Sequence, residues 1–155
     1  MWIYEHFLTH GDLLRLVPGL KAKSLANWSR DGFVDVEDRF PGYGADRKYS
    51  ALGAIKLAAM HQLVELGVAV SVAHEMTCEL GPKVVAAWHM RRESSHHERV
   101  LVWKVDDGTY TLSTRPPVGL ERQNLPPAYI VLEIGLLTIA MRERMERLHL
   151  EEEAA

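Results

Sequence analysis

The sequence predicts a mainly α chain with a small β component, an α+β class. Three observations lead there: apolar residues recur at three and four positions over long stretches, glycine and proline interrupt those stretches, and two short extended runs fold back on turn signals. Size and composition agree. The 155 residues, 47% hydrophobic and 25% charged, are ordinary for one globular domain. The formal charge of −3 excludes a polycation that gathers nucleic acid by bulk charge, and is compatible with one locally basic face.

Thr9-His10-Gly11-Asp12 opens the first helix, because the threonine hydroxyl can accept from free amides and the aspartate three residues on suits a helix N-terminus. Leu13, Leu14, Leu16 and Val17 follow, and Pro18-Gly19 ends it. Lys21 to Arg30 forms a second helix, with Leu25 and Trp28 on one face and Asp31-Gly32 as its stop. From Phe33 to Tyr49 the helical period is lost. Phe33, Val34 and Val36 read as extended, Pro41-Gly42-Tyr43-Gly44 as a turn, and Arg47-Lys48-Tyr49 as the return of a hairpin. Ser50 is the expected cap of the clearest helix, where Leu52, Ile55, Ala59, Leu63 and Leu66 repeat until Gly67. Ser71 is the expected cap of the next, which runs to Leu80, and Gly81-Pro82 separates it from a helix over Lys83 to Arg92.

Val100 to Val105 and Thr109 to Ser113 flank Asp106-Asp107-Gly108, whose Asp-Gly pair signals a two-residue hairpin turn. Beyond the extended Pro116-Pro117 and Pro126-Pro127, Tyr129 to Leu150 reads as one long helix. Ile130, Ile134, Leu137, Met141, Met145 and Leu148 form a coiled-coil-like row on it, flanked by Arg142, Glu143, Arg144, Glu146 and Arg147. That row is the expected homodimer seam. The alternative, in which Ile130 to Met141 closes the chain's own core over the second hairpin, stays open.

The single cysteine, Cys78, forms no internal disulfide, fits a reducing compartment, and reads first as a buried apolar thiol. The N-terminus lacks a basic head before an apolar run, and Ala128 to Met141 is too short to span and contains Glu133, so a cytoplasmic protein without membrane contact is expected. His89, His96, His97 and Glu98 supply metal-ligating types, but adjacent histidines do not share a helix face, and the polar residues around them read as a solvated surface. No metal and no cofactor are expected. His74 with Glu75 lies in no nucleophile, phosphate-loop or metalloprotease motif, so an enzyme is not expected either.

Helix, tight turn, helix, hairpin, long helix is the order of a winged helix-turn-helix, whose second helix enters the DNA major groove while the hairpin rides the backbone. Lys21, Lys23, Ser24, Asn27 and Arg30 lie at or near positions that Leu25 and Trp28 leave free. Lysine can neutralise phosphate or read guanine, and asparagine can pair with the edge of adenine. In the hairpin, Arg39, Arg47 and Lys48 bracket an aromatic and glycine tip containing Tyr43, a set suited to clamping phosphates. Six Lys or Arg against five Asp or Glu between Gly19 and Ser50 make the region nearly neutral.

These residues resemble the DNA-binding domain of the MerR family: Asp12 to Leu16, Ser24 to Val34, Arg39 through Arg47-Lys48-Tyr49-Ser50, and Leu66 to Ser71, with Leu25, Trp28, Gly32, Arg47, Tyr49 and Gly67 in the family's order. The resemblance covers residues 10–80, about half the chain. It implies a homodimeric transcription regulator with Lys23 and Ser24 on the recognition helix, Arg39, Arg47 and Lys48 in the wing, and Trp28 and Tyr49 in the core. Ala26-Asn27 replaces the usual arginine-tyrosine pair, and Pro18-Gly19 lengthens the turn.

The expected organisation is a DNA-binding module over 1–80, a helix with hairpin and proline-rich connection over 81–127, and a dimerisation helix over 128–155. The expected partners are double-stranded DNA and a second copy of the chain, with RNA polymerase a third candidate. Two other readings compete: an excision or packaging factor of a phage or mobile element, and a protein-interaction adaptor that has lost DNA binding.

Overall fold

The first helix starts as its residues require: Thr9 Oγ1 accepts from the Asp12 amide at 3.2 Å, and Asp12 Oδ2 accepts from the Thr9 N–H at 2.7 Å, a complete capping box. The computed structural model describes residues 3–35, 37–38, 47–89, 98–104, 108–113 and 130–154. In chain order these form β1 (His6–Leu8), α1 (His10–Leu16), α2 (Ala22–Arg30), β2 (Glu37–Asp38), β3 (Arg47–Ser50), α3 (Ala51–Glu65), α4 (Val70–Glu79), α5 (Gly81–His89), β4 (Arg99–Lys104), β5 (Tyr110–Ser113), β6 (Ile130–Glu133) and α6 (Ile134–Glu153). The architecture is mixed, with helices predominating over two small antiparallel sheets.

Pro18-Gly19 fills the centre of a turn that Leu20 N–H closes on the Val17 carbonyl at 3.2 Å, and Gly19 takes φ +84°, the positive value a type II turn needs at its third residue. α2 then runs with Leu25 and Trp28 buried, and Gly32 at φ +78° ends it. The first sheet has the order β1-β3-β2. β3 pairs with β2 as expected of a hairpin, although the described outgoing strand is Glu37–Asp38 rather than Phe33 to Val36, and Val36 and residues 39–46 lie outside the described residues. β1 was not anticipated; it covers the other edge of β3 through His6↔Ser50 and Leu8↔Tyr49.

Ser50 caps α3, its Oγ accepting from the Gly53 amide at 3.0 Å. This helix is apolar on most sides and buried accordingly, with Ile55, Met60 and Leu63 at the centre, while Gln62, Glu65 and, past its end, Leu66 are exposed. Ser71 does not cap α4. That helix begins at Val70, two residues earlier than a Ser71 cap implies, with Ala69 as its cap and no side-chain bond there. Gly81-Pro82 does not merely interrupt the chain either: both residues belong to the first turn of α5, where a missing proline N–H costs nothing.

The second sheet has the order β5-β4-β6. The expected hairpin is present, with Lys104↔Tyr110 the pair nearest the turn and Gly108 at φ +87°. The long helix needs correction. Ile130 to Glu133 are the strand β6, paired antiparallel to β4 from Val102↔Ile130 to Arg99↔Glu133, and α6 starts at Ile134. A run of Ile130-Val131-Leu132 suits a strand as well as a helix, and an unfilled edge of β4 decides for the strand.

α6 packs on α1, α3 and α5. Ile134, Met141, Met145 and Leu148 are buried in the same core as Leu13, Ile55 and Val100, and Leu137 packs against it half-buried. The apolar row proposed as a dimer seam is thus occupied within one chain, and side chains from all three sequence segments share one core.

Candidate nucleic-acid interface

α2 is anchored from one side only. Leu25 is 0% and Trp28 8% exposed, and the Trp28 ring lies 6.3 Å from that of the buried His61 of α3. At 100° per residue the opposite direction is occupied by Lys23, Asn27 and Arg30, spaced i, i+4 and i+7. Lys23 and Arg30 are exposed; Asn27 and Ser24 are half-buried, and Lys21 is exposed at the N-cap position. Side chains of these types in a row can meet base edges and phosphates along a groove. Arg30 Nε donates to Asp31 Oδ1 at 3.0 Å, an exposed pair that binds weakly and that a phosphate can displace.

β3 carries two further cations, Arg47 and Lys48. Tyr49 is fully buried, with its hydroxyl 3.4 Å from Ser29 Oγ, which ties the strand to the C-terminal half of α2. Arg47 and Lys48, its neighbours, are half-buried. The backbone register pairs Asp38 with Arg47 and Glu37 with Lys48. Arg47 also influences α1: burial first, and the Arg47 charge second, hold the His10 imidazole below its ordinary pKa.

Lys21, Lys23, Ser24, Asn27 and Arg30 thus stand on or at the start of α2, and Arg47 and Lys48 on β3, two elements linked through Ser29 and Tyr49. Arg39 and Tyr43 lie outside the described residues. Among the described residues no group of three His, Cys, Asp or Glu could hold a metal; His89 is exposed at the end of α5, Glu98 pairs with Lys83 at 3.6 Å, and His96 and His97 lie outside the described residues. No described helix is long and apolar enough to cross a membrane.

Cys78 is exposed rather than buried, and its Sγ lies 3.6 Å from His74 Nε2. Composition gave no hint of that pairing, but the i, i+4 spacing of His74 and Cys78 on a helix did carry it. The His10 and Arg47 neighbourhood has no such signal, because it depends on β1 placing α1 beside β3. No family model and no curated protein sequence matches the chain.

Proposed function

We propose that this protein is a sequence-specific double-stranded DNA-binding regulator, with α2 as the reading helix and the β2-β3 pair as the wing of a winged helix-turn-helix. One observation carries the reading: Lys23, Asn27 and Arg30 form a single row directly opposite the buried Leu25 and Trp28. The MerR-like residue set over 10–80 supports it and adds a homodimer on a two-fold operator, with RNA polymerase as a further partner. Because Met145 and Leu148 serve the chain's own core, a dimer contact on α6 has to use its outer face, where Leu136 and Leu150 are exposed.

The acidic residues across from Arg47 and Lys48, with the Arg30–Asp31 pair, favour one second reading, an adaptor that binds protein and not DNA. A salt titration on selected and random duplexes separates the two. A DNA-binding chain gives a log-linear fall of affinity with salt, and replacing Lys48 by glutamine lowers the slope by about 1 and weakens all sequences alike. A chain with no salt-dependent duplex binding is the adaptor.

A further inference from the structure

We propose that Cys78 and His74 form a reactive thiol–imidazole pair that captures small soft electrophiles of the α,β-unsaturated carbonyl class in the cavity beneath the turn leaving α2. The two residues stand at i and i+4 on α4, Sγ and Nε2 being 3.6 Å apart. The other ring nitrogen, Nδ1, is 3.0 Å from the Phe33 carbonyl oxygen. A carbonyl only accepts, so Nδ1 carries the hydrogen and donates it, and the lone pair of the neutral ring sits on Nε2 facing the thiol, whose S–H donates to it. The Phe33 ring, 5.2 Å from the imidazole centroid to centroid, holds the same orientation. Nucleophile, base and an acceptor that orients the base are the parts of an activated nucleophile.

Separate from this bonded series is the space in front of it. A cavity of about 410 Å³ opens between the end of α2, α3 and α4, bounded among others by Phe33, Lys56, Met60, Thr77 and the exposed Cys78. That volume takes a small organic molecule. Apolar Met60 and Phe33 suit its carbon skeleton, and Lys56 supplies a cation for the oxyanion that addition creates. In the reaction the thiol proton moves to Nε2 and sulfur bonds to the β-carbon. The C=C electron pair passes toward the carbonyl oxygen as an enolate, and the imidazolium returns the proton to the α-carbon. The process is a net addition, with no oxidant and no leaving group.

The adduct lies against Gly32 and Phe33, which lead from α2 toward β2, so it also weakens duplex binding; this second step rests on the DNA-binding reading. The experiment treats the full chain with N-ethylmaleimide and follows the single adduct by mass from pH 5.5 to 8.5. At pH 7 the folded chain is expected to react at least about tenfold faster than the chain unfolded in urea. His74→Asn, whose amide still donates to the Phe33 carbonyl, falls to the unfolded rate, and Cys78→Ser forms no adduct. Equal rates for folded and unfolded chain, or an undiminished rate in His74→Asn, overturns the pair. Should His74→Asn not fold, His74→Gln is measured instead, and an undiminished rate in that variant overturns the pair. Duplex affinity is then measured on modified and unmodified chain. A loss of about tenfold supports the coupling, corresponding to about 1.4 kcal/mol. Unchanged affinity overturns the coupling alone, and an unmodified chain that binds no duplex counts against the regulator reading while the labelling kinetics still decide the thiol pair.

Discussion

α2 and α6 both carry basic residues beside an apolar face, and the fold commits them differently. On α2 two buried side chains suffice to hold the helix, and Lys23 and Arg30 are left pointing outward. On α6 the apolar row is buried along most of its length, and two of the arginines beside it bond to other helices: Arg142 Nη1 donates to the Trp88 carbonyl at 3.0 Å and Arg144 Nη1 to the Leu16 carbonyl at 2.9 Å. Those carbonyls end α5 and α1, where helices leave acceptors without intrahelical partners. A guanidinium satisfying such an acceptor is a structural part, whereas one on an unburied face is available to a ligand. The lesson is that counting cations along a helix does not locate an interface; their hydrogen-bond partners do.

The comparison is most exposed to a deletion in the α6 row. Met141→Ala is expected to cost about 2–5 kcal/mol of folding free energy, read as a lower urea midpoint, because Met141 is 0% exposed within a single chain. An unchanged midpoint together with dissociation of a dimer in light scattering would return the row to a role between chains. On α2 the matching change is Asn27→Ala, which should weaken the best duplex site by about 1–3 kcal/mol and relax preference at one base pair while the urea midpoint stays put.

The arginines sharpen the contrast further. Arg144→Ala is expected to lower stability by about 1–3 kcal/mol through the orphaned Leu16 carbonyl and to leave the salt slope of duplex binding alone. Lys23→Ala should do the reverse, reducing that slope by about 1 at constant stability. If both variants move the same readout, the two helices are not differently employed.

The smallest effect expected is electrostatic and belongs to the junction of α1 with β3. His10 titrates lower when folded, so the unfolded chain binds the extra proton first, and this residue's contribution is present above its ordinary pKa of about 6.5 and lost as pH falls below it. His10→Gln should flatten that part of the stability profile, and a profile as steep as wild type would remove His10 from the account.

Elements whose boundaries rest on local chemistry were readable in advance. Thr9 with Asp12, Ser50, Gly32 and Gly67 stand where capping or a positive φ requires them, and α1, α2 and α3 fall in place. The outward row of α2 was equally readable, because Leu25 and Trp28 fix which side is inside. What escaped depends on residues distant in sequence. β1 is three residues long and exists by pairing with β3; Ile130 to Glu133 become β6 because β4 offers an edge; Ser71 loses the cap to Ala69 by a shift of two residues. The α6 row kept its periodicity and changed its meaning, since spacing alone does not say whether the facing surface belongs to the same chain.

The hydrogen bond from Arg144 to Leu16 joins positions 128 residues apart, and α6 closes over α3 in the same region. During synthesis the chain therefore emerges with α2 complete long before α6, which shares the core of Leu13, Ile55 and Leu63, has been made. Long-range closure of this kind slows folding and leaves apolar surface uncovered on the nascent chain. A ribosome paused before Ile134 would display a half-covered core to chaperones and proteases, and a fragment ending at Leu80 would aggregate rather than act as a free DNA-binding module. Completion of the folded core is in this way tied to translation reaching α6.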